Sequence, residues 1–191
     1  MGRKIGRRIP LFEGIGPANV EQLKSLCASI ATYGGTALFH MRGVTSNRTE
    51  TPAETLAVTQ TDIAEALAEL NDEASEVDFV ALGCPHSTLN EIKAIASLLE
   101  GKKVTREFWI CTARQTMRQA EKDGYAQTIR AAGAKFACDT CMAVAPLKGR
   151  FKVLATDSAK ACYYGRGTNY FKTRIGSVEE CVRAAVTGKW S

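Results

Sequence analysis

Val77-Asp78-Phe79-Val80-Ala81-Leu82 is an apolar run, and Gly83-Cys84-Pro85-His86 closes it with small, polar and thiol side chains. A run with so little polar alternation fits a strand covered on both faces, as in a parallel sheet. Ser87 or Thr88 then caps a helix with apolar Leu89, Ile92, Ile95, Ala96 and Leu99. Glu91 sits in its first turn, where the helix dipole favours a carboxylate, and Gly101 ends it. A strand, a reactive ending and an amphipathic helix make one unit, and that unit recurs along the chain.

Toward the C-terminus, residues 104–110 read as a strand ending in Cys111-Thr112-Ala113-Arg114. A helical stretch through Met117, Ala120, Tyr125 and Ile129 follows, up to Gly133. Residues 134–137 form a short strand that runs into Cys138-Asp139-Thr140-Cys141, and residues 151–155 another that runs into Thr156-Asp157-Ser158-Ala159-Lys160. Residues 171–175 are a further strand, after which Ser177 caps a last helix with Val178, Cys181, Val182, Ala185 and Val186 on its apolar face. Toward the N-terminus, Gly16-Pro17 opens a helix with Val20, Leu23, Leu26, Cys27 and Ile30 at helical spacing, and Gly34-Gly35 ends it. Residues 36–41 read as a buried strand ending in Arg42-Gly43-Val44-Thr45. A polar loop over 46–52 and a second amphipathic helix from Thr59 or Thr61 through Ile63, Ala64, Leu67 and Leu70 complete the pattern. Cys27 and Cys181 belong to apolar stripes and read as core.

The repeated alternation predicts a three-layer α/β/α domain around a mainly parallel sheet of about five to six strands. One domain over residues 9–190 follows a basic arm over residues 1–8. The formal charge is +5, but Arg3, Lys4, Arg7 and Arg8 supply +4 of it, leaving +1 for the rest. No basic stripe with interleaved aromatics stands behind that arm, which argues against nucleic acid. No apolar run reaches the ~20 residues that span a bilayer, and residues 1–8 lack a secretory apolar segment. The reading is a cytoplasmic protein with no membrane partner. Seven cysteines without a signal peptide are an odd number of reduced thiols rather than a disulfide framework.

In an open parallel sheet, the loops leaving the carboxyl ends of the strands share one edge, and ligands bind there. Cys84, Cys111, Cys138 and Cys141 all fall in such loop starts. Buried structural cysteines have no reason to prefer one edge, so the clustering points to a site. Four chemistries fit the residues: a Cys-x-x-Cys redox pair, a closed zinc site, an iron–sulfur centre, or a nucleophilic cysteine served by His86. Inert packing is the fifth alternative. Ser158, Ala159 and Lys160 open a helix after a strand, where backbone N–H groups, a hydroxyl and an ammonium can hold an anion; an ordinary N-cap serine is the plainer reading. Arg114 is either a carboxylate or phosphate clamp or a helix-face charge. Lys148, Arg150, Arg166, Lys172 and Arg174 place positive charge near the last loops, which would suit a phosphorylated substrate.

Gly83-Cys84-Pro85-His86, then Asp139-Thr140-Cys141-Met142 with Val144-Ala145-Pro146, then Asp157-Ser158-Ala159-Lys160 occur in the order of the aconitase X family. Leu38 to Thr45 and Phe108 to Arg114 also resemble it, so the likeness runs from about Ile9 to Trp190. The resemblance implies an aconitase-like α/β/α fold and a hydro-lyase that removes water from a hydroxy acid, 5-phosphomevalonate or cis-3-hydroxy-L-proline. It implies an iron–sulfur cluster of the 4Fe–4S type, with 2Fe–2S or mononuclear iron as alternatives. Cys84 and Cys141 match the family's ligand positions, and Cys138 or Cys111 is the candidate third thiolate. Ser158 and Ala159 match a substrate-contacting turn. The chain resembles the C-terminal half of the family's large subunit, so the resemblance also implies partner subunits supplying the N-terminal half and a small swivelling domain. It singles out no general base.

Overall fold

A computed structural model describes residues 1–45 and 50–190. The chain divides into two compact units, Met1–Ala66 and Leu67–Ser191, where the sequence reading drew one domain over 9–190.

The first unit comprises α1 (Gly2–Ile5), β1 (Leu11–Phe12), α2 (Val20–Gly34) and β2 (His40–Met41); α3 (Gln60–Leu70) begins in it and runs into the second. Its buried core is Ile5, Phe12, Ile30 and Met41. The basic terminus is not a free arm. Residues of α1 pack on the end of α2, where a side chain on Gly34 would collide with the Gly2 carbonyl oxygen. Arg8 lies 2.8 Å from the Glu54 carboxylate, Lys4 pairs with Asp62 at 3.3 Å, and Arg3 covers the Tyr33 ring. α2 starts later than Gly16-Pro17, because Asn19 and Gln22 form a reciprocal capping box.

Cys27 is exposed, against its reading as core. Leu23, Leu26 and Ile30 form the row that meets the core, whereas Cys27 shares a neighbouring row with Val20, seven residues earlier and also exposed. The expected strand over 36–41 shrinks to His40–Met41, which pairs in parallel with β1 in a separate two-stranded sheet. The Arg42–Thr45 ending therefore leaves a different sheet from the other reactive loops. Most of the expected 46–52 loop lies outside the described residues.

The second unit is built on β3 (Phe79–Leu82), α4 (Leu89–Leu99), β4 (Glu107–Thr112), α5 (Arg114–Lys122), α6 (Tyr125–Ala132), β5 (Lys135–Cys138), β6 (Val153–Thr156), α7 (Ala159–Asn169), β7 (Lys172–Ile175) and α8 (Val178–Thr187). The five strands pair in parallel in the order β5-β4-β3-β6-β7. The single helix expected after β4 is broken at Asp123-Gly124, where Gly124 takes φ +84°. Thr88 rather than Ser87 caps α4, reciprocally with Glu91, and Ser177 caps α8 with Glu180.

Alternation along the strands sorts two apolar faces. Val80, Leu82, Phe108, Ile110 and Ala155 point to the face covered by α4, α5, α6 and α8, through Ile92, Ile95, Leu99, Ala120, Ile129, Cys181 and Val182. Phe79, Ala81 and Leu154 point to the other, covered by α7 and the 142–151 segment through Ala161, Met142 and Leu147. Phe79 is fully buried there, stacked on Phe151 at 4.6 Å between ring centroids with Trp109 edge-on at 5.4 Å. Among the described residues no helix is long and apolar enough to cross a membrane. Phe79→Ala leaves a cavity that the rigid sheet closes only in part, so unfolding by denaturant should show a loss of about 3–5 kcal/mol.

Candidate metal and substrate site

The chain adds β4 and β5 on one side of β3, then returns to add β6 and β7 on the other. The loops that leave β3 and β6 therefore diverge, and the crevice between them is where open α/β sheets bind ligands. Cys84 and Ser158 sit at this point.

Gly83 is required by its surroundings. It adopts φ +88°, and a Cβ there would collide with the Cys111 carbonyl oxygen and lie 2.7 Å from Ser87 Oγ. The close approach lets Ser87 N donate to the Cys111 carbonyl at 2.8 Å and Thr112 Oγ1 to the Ser87 carbonyl at 2.7 Å, lacing β3 to β4. Across the crevice, Ser158 Oγ donates to the Cys84 carbonyl and accepts from Ala161 N at 3.2 Å. The plainer reading of Ser158 as an N-cap holds, and its proton is engaged by the cysteine loop. Ala159 and Lys160 begin α7 beside it.

The loop after β5 brings Cys141 to Cys84. Asp139 takes φ +57°, a conformation that aspartate tolerates better than most side chains. Arg114 holds it there: its backbone N–H and its Nε each reach the Asp139 carboxylate at 2.9 Å. Arg114, read from sequence as either an anion clamp or a helix-face charge, contacts the cysteine loop in a solvent-exposed pair worth little to stability by itself. Farther along, Asn169 Nδ2 donates to the Met142 carbonyl at 3.0 Å, and Asn169 Oδ1 accepts from Leu147 N at 3.2 Å, both buried. The positive φ of Asp139 has a signal in its residue type. Asn169, a polar residue at a helix end, offers none.

Cys84 donates its S–H to Cys141, and the two thiols respond in opposite senses. Cys141 is held down to about 5, first by that hydrogen bond, with the Ala143 and Val144 N–H groups and the Lys160 ammonium adding to it against the cost of burial. Cys84 is pushed well up, by giving its proton to Cys141 and then by burial. Cys111 rises to about 12 through burial, although the Met142 N–H points at it.

The four cysteines do not form one ligand set. Among the described residues, no group of 3 or more His, Cys, Asp or Glu side chains is placed to hold a metal ion. For Cys138 the reason is strand parity: Cys111 pairs with Ala137 and Thr112 with Cys138, so Cys111 and Cys138 point to opposite faces of the sheet. Cys138 faces the side of α5 and α6, with Arg114, Arg130 and Glu121 acting on it. A closed zinc site of four thiolates is not formed. Four of the five basic residues expected near the last loops have other surroundings. Arg166 contacts Asp72 at 3.0 Å and Arg174 covers Trp190, while Lys148 and Lys172 line a cavity of about 680 Å³ by the amino ends of β6 and β7. That edge is opposite to the thiols.

Comparison with known proteins decides the family. Residues 77–187 match the aconitase X third domain, and residues 1–68 the aconitase X second domain. The chain belongs to the aconitase X family. The phosphomevalonate dehydratase large subunit of Methanosarcina mazei is 34% identical over 192 residues, spanning 98% of this chain and 47% of that protein. The cis-3-hydroxy-L-proline dehydratase of Pseudomonas aeruginosa is 33% identical, spanning 95% of this chain and 34% of that protein. The crystal structure of Thermococcus kodakaraensis aconitase X in its holo-form superposes with a TM-score of 0.88 at 31% identity, over 96% of this chain and 49% of that one. The α/β aconitase-like fold is therefore the fold of this chain, and the chain spans about half the length, or less, of these relatives.

The low value at Cys141 has a direct chemical consequence. In the metal-free folded protein, Cys141 is a thiolate from about pH 6 upward, and its rate of alkylation should stay flat from there to about pH 8. Replacing Cys84 with Ala removes the hydrogen bond to Cys141, so the rate should then climb with pH. Peptide mapping after limiting iodoacetamide treatment distinguishes the two behaviours, with buried Cys111 and Cys162 staying unlabelled in both.

Proposed function

We propose that this chain is the part of an aconitase X hydro-lyase that supplies two thiolate ligands and an anion-holding turn, completed by partner polypeptide. The reading rests on one observation above others: Cys84 and Cys141 meet at the switch point of the sheet, beside Lys160, in a chain of the aconitase X family.

The donor set suits iron in part. Thiolates are the usual ligands of iron–sulfur clusters, and a pair already sharing a proton needs to lose only that proton to bind metal. Cys84 and Cys141 would hold two positions, and a third ligand would come from the partner rather than from Cys138. When bound, such an iron centre would supply a Lewis-acidic position for the hydroxyl that leaves the substrate.

The chain's own residues prepare that chemistry. Lys160 brings positive charge to both sulfurs, and the Ser158-Ala159-Lys160 turn meets the anionic group of the substrate. Ser158 fixes the turn against the Cys84 loop, and Arg114 fixes the Cys141 loop through Asp139. Dehydration breaks a C–H bond and the adjacent C–O bond, forms C=C and releases water. The base that takes the proton belongs to the partner or to a residue not singled out by this site. The substrate is a hydroxy acid, 5-phosphomevalonate or cis-3-hydroxy-L-proline; the relatives' names carry phosphomevalonate and cis-3-hydroxy-L-proline.

Anaerobic loading with iron and sulfide, followed by iron analysis and visible absorption, tests the ligand pair. Mixing the loaded chain with the remaining large-subunit half and the small subunit, then assaying both substrates, tests the activity. Cys84→Ser and Cys141→Ser should each lower dehydration at least about a hundredfold, because a lost ligand costs more than a lost outer partner. Full dehydratase activity from the chain without partners, or iron binding that survives the double substitution, would overturn the assignment.

A further inference from the structure

His86 lies two residues beyond Cys84, and its Nε2 lies 3.0 Å from the carbonyl oxygen of Thr140, the residue directly before Cys141. A carbonyl oxygen only accepts, so Nε2 carries the proton. The bond grips the peptide plane that joins Thr140 to Cys141, and its other end is anchored on the loop that carries Cys84. One imidazole therefore spans the two cysteine-bearing loops, which are separated by 54 residues between His86 and Thr140.

Apart from the hydrogen bond between the two thiols themselves, the other bonds at the site each hold one loop. Ser158 holds the Cys84 carbonyl from α7, Arg114 holds Asp139 from the start of α5, and Asn169 holds the Met142 carbonyl from the end of α7. Each ties a loop to a helix, and Ser158 and Asn169 do so at the two ends of α7. The His86 bond fixes one loop against the other, which is the coordinate that sets the distance between the two sulfurs. His86 also stands two residues from Cys84 on a single loop, a poor place for a base that would serve that thiol. Its geometry suits holding rather than proton transfer.

We propose that His86 is a positioning residue that sets the separation of Cys84 and Cys141, and with it the capacity of the pair to grip one thiophilic atom. This rests on the pairing of the two thiols and extends the proposed function by naming what holds the pair ready. Outer partners that orient metal ligands are commonly worth about ten- to hundredfold in metal affinity.

The test uses the full chain, two donor-free variants, His86→Ala and His86→Leu, and the donor-keeping His86→Gln. Two probes are titrated. Phenylarsine oxide condenses with two thiols, forming two As–S bonds and releasing one water, so it reports a close dithiol without any metal chemistry. Cobalt(II) gives a thiolate-to-metal charge-transfer band and reports the pair as ligands. Cys84→Ser marks the signal that belongs to the pair. The expected result is at least about a tenfold weaker Kd for both probes in the donor-free variants, recovery to within about threefold in His86→Gln, and an unchanged thermal melt. Unchanged affinity in a folded donor-free variant would overturn the proposal, as would loss of folding in both donor-free variants, which would make the histidine a structural requirement. If the arsenical follows the expected order while cobalt gives no thiolate band even in the unsubstituted chain, the positioning role stands and the metal reading of the pair fails.

Discussion

The parallel pairing of β3 with β6 is the constraint on which the rest of the second unit depends. It reverses the direction in which strands are added, so that the β3 and β6 endings part at the centre of the sheet edge. Cys84 occupies one side of that gap and Ser158 the other. Without the reversal, the Ser158 hydroxyl would have no Cys84 carbonyl to reach, and Lys160 would not lie near the thiols. The close approach of the β3 and β4 endings, permitted by the missing side chain at Gly83, tightens the same point.

At that point two chemically identical side chains become unlike. Cys141 collects hydrogen bonds from Cys84, Ala143 and Val144 and feels the Lys160 charge, so it carries the negative charge. Cys84, more buried and acting as donor, keeps the proton. The asymmetry comes from the loop after β5, which curls so that two backbone N–H groups aim at one sulfur. One partner is thus a thiolate and the other holds the shared proton. The same loop leaves Cys138 behind, because an edge strand turns alternate residues to opposite faces.

Much of the second unit was legible in its sequence. Continuous apolar runs announced buried parallel strands, and Ser87 or Thr88 and Ser177 announced helix starts; the structure chose Thr88 and added the reciprocal bonds of Glu91 and Glu180. The first unit was less legible. The apolar run over 36–41 looked like another sheet strand, yet only His40–Met41 pairs, and with β1 rather than with the five-stranded sheet. Strand partners are chosen by long-range packing, which a local pattern does not encode. Cys27 was misjudged for a related reason: helical spacing says that residues share a side of a helix, but the width of the buried stripe depends on what packs against it.

By itself, then, the sequence determined the strand–helix alternation of the second unit, the cap of its last helix, the reactive character of the strand endings and the family likeness. These are set by near-neighbour hydrogen bonding, by side-chain period and by the identity of residues in order. Only the tertiary structure decided which endings meet. It joined Cys84 with Cys141, set Cys138 apart by strand parity, turned Arg114 toward Asp139, and carried Lys148 and Lys172 to the opposite edge. Those outcomes depend on strand order and on the path of the loops, and both are settled by packing between segments far apart in the chain.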